Sequence, residues 1–420
     1  MKNNTTQKNI PHGWELKALG DLGEFKTGGV DKKIKSNEKP IKLVNYMDVY
    51  RNKFIDSSIA FMEVTANDGE IKTSQVEIGD MLFTPSSETP DDIGHSAVII
   101  EYLPGTLFSY HLARLRFNKI YNNKIDLSFR AYFCNSMFVL KQFEKMSVGA
   151  TRYTISKGKF ESIQVLIPKS ISEQQKIAEI LGAVDEDIAK TQDVIEATEK
   201  LKKGLMQQLF TRGIGHAKFK KTKLGEIPEE WEIVKFGEVA TIINGQVDPK
   251  QDQYKNMILV APNHIESNSG RIIERESAED QGAISGKYFV DKGDIIYSKI
   301  RPYLNKVALA VEQCLCSADM YPIKGTDRLD NVFLFYILLS KNFTDFANSN
   351  SARTGIPKIN REELCSYEFV LPLVGEQQKI AEIISTVDDK ISINKKLKNK
   401  LTLLKKGLMQ DLLSGKVRVN

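Results

Sequence analysis

Side chains able to grip an anion or read the edge of a base are concentrated in a few short runs. The densest is YSKIRPYLNK at 297–306, where Lys299, Arg301, Tyr303, Asn305 and Lys306 follow the strand-like DKGDIIYS. Lysine and arginine pair with phosphates, while Arg, Lys, Asn and Gln can also bond base edges. Read plainly, the same run is an exposed basic loop. Its counterpart in the first half, FTPSSETPDDIGH at 83–95, is acidic and would repel phosphate, but Ser86, Ser87 and His95 keep hydrogen-bonding capacity. Two more loops, SVGATRYTISKGK (147–159) and SNSARTGIPKIN (349–360), each set an arginine beside a threonine with a lysine beyond. They offer Arg152, Tyr153 and Lys157 in one and Arg353 and Lys358 in the other, among glycines and small polar residues that permit close approach to a phosphate backbone. A further pair is Lys26-Thr27-Gly28 and Asn244-Gly245-Gln246.

Residues for catalysis do not accompany them. A phosphate-cradling loop needs G-x-x-x-x-G-K-[ST]; the nearest string, GAISGKY (282–288), has Gln281 and Tyr288 at two required positions. No adenine-methyltransferase [ND]-P-P-[YF] string appears. The histidines at 12, 95, 111, 216 and 264 show no metal-ligand spacing, and Asp91-Asp92 lies in a turn-like run. Cys134, Cys314, Cys316 and Cys365 form neither a zinc pattern nor a disulfide framework, and read as small buried hydrophobes in a reducing cytoplasm. With 41% hydrophobic and 27% charged residues and a net charge of +5, the chain reads as soluble, globular and mildly basic. The polar N-terminus reads as no signal peptide, and no run is long enough to span a membrane.

The elements that must position these loops come from a duplication. EQQKIAEI occurs at 173–180 and again at 376–383; LKKGLMQ occurs at 201–207 and again at 404–410, at the same offset of 203. IPHGWELKALGDLGEFKTGG (10–29) echoes IPEEWEIVKFGEVATIINGQ (227–246), and EIGDMLFT (77–84) echoes DKGDIIYS (291–298). Within the repeated segments, Ile177, Ile180, Val184, Ile188, Ile195, Leu201, Leu205 and Leu209 recur at helical spacing, as do Ile380, Ile383, Val387, Ile391, Leu397, Leu401, Leu404, Leu408 and Leu412. That predicts two long helices, at 171–212 and 374–415, paired as an antiparallel coiled coil with Asp185-Glu186-Asp187 near Lys398 and Lys400. The stretches 10–170 and 225–372 alternate short apolar runs with Gly, Pro and Asn, as mixed α/β domains do. The fold expected is α+β with a pseudo-two-fold internal repeat.

The order IP-x-x-WE, GD-[IM]-[IL]-[FY], EQQKIAEI, LKKGLMQ, given twice, resembles the specificity subunits of type I restriction–modification systems. The resemblance implies two target-recognition domains, each reading one half of a split double-stranded DNA site, held apart by helices that dock two methyltransferase subunits, with restriction/translocase subunits joining. It implies a non-catalytic, cytoplasmic chain without cofactors, S-adenosylmethionine, ATP and Mg being bound by the partners. Because the identical blocks sit at the helix ends, Glu173, Gln174, Gln175, Leu205 and Met206, and their repeats Glu376, Gln377, Gln378, Leu408 and Met409, are the expected partner surface. Two other readings stay open: an enzyme with degenerate motifs, and a coiled-coil scaffold without a nucleic-acid role.

Overall fold

A computed structural model describes residues 10–351 and 355–419. They form two compact units: residues up to Gln192 together with those from Lys396 onward, and Asp193–Lys395. Each unit therefore holds one globular domain, half of one long helix and half of the other.

In the first unit a five-stranded sheet runs in the order Gly23–Thr27, Ala113–Phe117, Met81–Phe83, Ser96–Ile99, Phe54–Ile55. Its inward side chains meet Phe143 and Phe160 in a cluster with Phe25 and Phe83, ring centroids 5.1 to 6.2 Å apart. Such tilted pairs add to the large apolar area each ring removes from water. In the second unit a four-stranded sheet has the order Ala240–Ile242, Met320–Gly325, Ile295–Ser298, Val307–Leu309. Trp231, Phe236, Tyr297 and Phe333 fill its core. Cys314 and Cys316 lie buried in a second sheet as free thiols. Each domain closes on itself just before its helix: Trp14–Ala18 pairs antiparallel with Gln164–Pro168, and Glu232–Lys235 with Glu368–Leu371.

The central helix spans Ile171–Arg212 and the C-terminal helix Val374–Leu412. Their pairing is antiparallel. In the first unit Asp185 meets Lys405 and Gln192 meets Lys398; in the second, Glu199 meets Lys395 at 2.7 Å and Lys202 meets Asp388 at 2.6 Å. The expected neighbours of Asp185, Lys398 and Lys400, are thus replaced by a lysine nearer the C-terminus. The repeat explains the register, since Asp185–Lys405 and Asp388–Lys202 are the same contact made twice.

The seam is narrower than the sequence periodicity. Ile177, Leu181, Ile195, Ile380, Ile384 and Ile391 are buried, whereas Leu201, Ile383, Leu397 and Leu404, counted as seam positions above, are exposed. A helix of 3.6 residues per turn cannot keep every residue of a three-four-seven pattern on one line.

Candidate nucleic-acid interface

Each helix enters its own domain through the block that the sequence repeats. In the first unit the indole of Trp14 donates to Glu173 Oε1 (3.3 Å), and Arg418 holds the same carboxylate at 2.5 and 2.8 Å. In the second, Trp231 donates to Glu376 Oε2 (2.9 Å), while Oε1 takes the Ile214 N–H and meets His216, each at 2.9 Å. Gln174 accepts from Asp126 N (2.7 Å) and donates to Lys124 O (2.9 Å) and Pro168 O (2.8 Å). Gln377 repeats the pattern with Asp330 N (2.8 Å), Arg328 O (2.9 Å) and Pro372 O (2.8 Å).

These contacts correct part of the expected partner surface. Glu173, Gln174 and Gln377 are 4%, 0% and 0% exposed, and Glu376 is half-buried, so their side chains face inward. The identity of the two blocks has an intramolecular reason: a buried amide with three backbone partners cannot be replaced without stranding them. Leu205, Met206, Leu408 and Met409 are half-buried against the domain cores, while Gln175 and Gln378 are exposed.

A third contact completes each joint. Tyr132 donates to Asp185 (3.1 Å), which also pairs with Lys405 and Lys53; Tyr336 donates to Asp388 (2.9 Å), which pairs with Lys202. Burial pushes both tyrosine hydroxyls well up and Lys53 down to about 8. Burial opposes ionisation of Asp185, but hydrogen bonds from Lys405 and Lys53 hold it below the usual carboxylate range.

Away from the joints, the structure brings two loops of each domain together, the run after the GD strand and the loop before the returning strand. In the second unit Ile300 bridges to Lys358, Arg301 N donates to Pro357 O (2.8 Å) and Ile359 N to Lys299 O (3.0 Å). In the first, Ser86–Ser87 pairs antiparallel with Tyr153–Thr154, and Ile155 N donates to Pro85 O (3.1 Å). The ladder is the same, so Pro85, Ser86 and Ser87 occupy the places of Lys299, Ile300 and Arg301. Arg361, unmarked by the sequence reading, donates to Ile242 O (3.0 Å) and Ile243 O (3.2 Å), which ties the exposed Asn244 and Gln246 to this edge.

The candidates then divide. Arg152, Arg301, Tyr303 and Lys358 are exposed, and Arg152 reaches Ser86 Oγ at 3.2 Å; Ser86 and Tyr153 are half-buried in the ladder. Asn305 is 3% exposed and donates to Leu339 O (3.2 Å), so it supports the loop and presents nothing outward. Lys306 donates to Pro262 O (2.6 Å), and Lys299 and Arg361 lie 5.2 and 5.1 Å from the ring centroid of Tyr321. Half-buried Lys26 donates to Thr73 O (2.7 Å), with Thr27 exposed beside it, and Lys157 pairs with Glu161 at 3.7 Å. Arg353 lies outside the described residues. The near-miss phosphate loop is closed on itself, because Lys287 donates to Ser285 O (2.6 Å).

The sequence reading missed an aromatic cluster in the first unit. Tyr46 donates to Ser86 O (3.0 Å) and stacks on Tyr50, whose hydroxyl meets Asp92 (3.1 Å); His95 meets the same carboxylate at 2.9 Å. Burial, then the charges of Lys32 and Arg152, push His111 down, which places those two cations beside it. The signal was present in YMDVY, tyrosines four apart on one helical face.

The description "Type I restriction modification DNA specificity domain" matches twice, over residues 11–199 and 228–403. The chain belongs to this family. It is a type I specificity subunit with two recognition domains, and similar to others along its length. The putative type I restriction enzyme MjaX specificity subunit of Methanocaldococcus jannaschii is 28% identical over 418 residues, 98% of this chain and 95% of that one. The EcoDI specificity subunit of Escherichia coli is 33% identical over 264 residues, 57% of this chain and 58% of that one, little more than half of each. Among solved structures, a chain from work on assembly and conformational transition of the type I R-M system has TM-score 0.60 at 16% identity, covering 97% of this chain and 100% of that one. The type I S subunit from M. genitalium has TM-score 0.57 at 14% identity, covering 97% of each. At such identities the likeness is one of fold. Among the described residues, no helix is long and apolar enough to cross a membrane.

Proposed function

We propose that each recognition domain binds one half of a bipartite double-stranded DNA site. The two helices set the separation of the halves and dock two methyltransferase subunits, with restriction/translocase subunits joining that core in the cytoplasm. The observation that carries the reading is the shared ladder of Ser86–Ser87 with Tyr153–Thr154 and of Ile300 with Lys358, beside which each unit presents an exposed arginine, Arg152 or Arg301. For docking, support comes from apolar side chains that the helices leave in water: Leu201 and Ile393 in the second unit and Leu397, Leu403 and Leu404 in the first are 44 to 69% exposed. A partner that covers such side chains removes apolar surface from water. Adenine methylation and ATP-dependent cleavage, with S-adenosylmethionine, ATP and Mg, then belong to the partners, and this chain chooses the sequence.

The test is to assemble the chain with its methyltransferase subunits and map methylated adenines across genomic DNA. A motif of two short elements with a fixed gap is expected, and the isolated chain should neither bind S-adenosylmethionine nor hydrolyse ATP. Methylation without sequence preference would overturn the reading.

A further inference from the structure

Arg301 has an unusual backbone. Its φ of 49° and ψ of 59° place a non-glycine residue in the left-handed region, directly before Pro302, where the chain favours an extended conformation. Asn305, closing the same short turn, is left-handed as well, with φ 43°. A conformation of this kind persists only where its surroundings over-determine it. Here they do: Arg301 N is fixed by Pro357 O at 2.8 Å, Leu304 N returns to Arg301 O at 2.9 Å, and Asn305 is pinned through Leu339 O and Asn268 N (3.1 Å).

What the strained turn presents is an exposed guanidinium. Among the described residues, no ion pair or side-chain hydrogen bond engages Arg301, whereas Lys299, Lys306 and Arg361 are all occupied within the domain. Tyr303 in the same turn is 54% exposed, Ile356, one residue before the carbonyl that anchors Arg301, is 61% exposed, and Lys358 across the bridge is exposed as well. A guanidinium on a fixed backbone, with no carboxylate partner among the described residues, is preset for a paired acceptor such as the major-groove edge of a base.

We infer that Arg301 is the specificity-determining residue of the second recognition domain, its preset fork reading the O6 and N7 edge of a guanine in that half-site. The assignment rests on the proposed function and deepens it. Lys358, exposed across the same bridge, is a phosphate contact.

The experiment uses the full chain assembled with its methyltransferase subunits. Affinity is measured on duplexes carrying each single-base substitution in the methylated site. The native complex should discriminate at one guanine by about 5- to 150-fold. Arg301→Ala should reduce that discrimination to within about 3-fold, leave every other position selective, and be partly rescued by Arg301→Lys. Arg301→Gly, which relieves the left-handed strain, should lose the same discrimination with no loss of melting temperature, which separates reading from folding. Lys358→Ala should weaken all duplexes alike and shallow the salt dependence. A selective native complex whose preferences survive in Arg301→Ala, or one weakened equally on every sequence, overturns the assignment alone. A native complex with no preference at all overturns the underlying reading as well.

Discussion

The two units use one joint and two different loop edges. At the joint, Trp–Glu, the Gln plug and Tyr–Asp–Lys recur from the first unit to the second between equivalent residues. At the edge, the ladder is kept, but among the described residues the exposed arginines stand on different strands. The first unit carries Arg152 on the returning segment beside Tyr46, Tyr50, Asp92 and His95; the second carries Arg301 on the outgoing segment beside Tyr303 and Ile356. What must close inside the protein has one chemical solution and is repeated. What faces a ligand has many, and the two have diverged.

The equivalence of the joints can be broken most directly at the tryptophans. Trp231→Ala should cost about 3–5 kcal/mol by opening a cavity and removing the donor to Glu376 Oε2, and Trp14→Ala a similar amount. Hydrogen exchange resolved to each unit checks this; a variant that loosens one unit and not the other would end the parallel. Next comes the carboxylate of the third contact. Asp185→Asn leaves Lys53 and Lys405 without a counter-charge and should cost about 2–4 kcal/mol, against about 1–3 for Asp388→Asn, where among the described residues one lysine is left. Equal losses in denaturant titrations would show that the additional lysine does not matter. Gln377→Ala strands a donor and two acceptors and should cost about 1–3 kcal/mol, with Gln174→Ala matching it.

The smallest effect is in pH. Lys53 titrates near 8 in the folded unit and near its ordinary 10.5 when unfolded. Between those values the unfolded chain holds the proton that the folded one has released. Stability of the first unit should therefore rise across pH 8–10.5, by about 1 kcal/mol after screening, and Lys53→Met should flatten the rise. A melting series over that range, with the second unit as internal reference, decides it.

Much of this was legible in the residues. The offset of 203 and the apolar spacing gave two long helices and two α/β domains, because a helix face and a repeated block are local patterns that survive reading one residue at a time. The loops were also visible, but as counterparts across the repeat, 83–95 with 297–306 and 147–159 with 349–360; that 83–95 lies against 147–159, and 297–306 against 349–360, came only from the fold, because those segments are far apart in the chain. What was misjudged was direction. Glu173, Gln174 and Gln377 looked like surface, because identity in two places is as well explained by a shared partner as by a shared internal joint.

By itself, then, the sequence determined composition, repeat, helix length and the identity of the polar side chains near each edge. Only the tertiary structure decided which polar groups are consumed inside and which remain outside. It turned Asn305, Lys306 and Arg361 to backbone carbonyls, put Tyr46 and Tyr50 beside Ser86, and left Arg301 exposed on a left-handed turn. Whether a lysine or an amide is a contact or a brace depends on which carbonyl lies within hydrogen-bonding reach. Carbonyls far apart in sequence come within that reach only when the chain has folded.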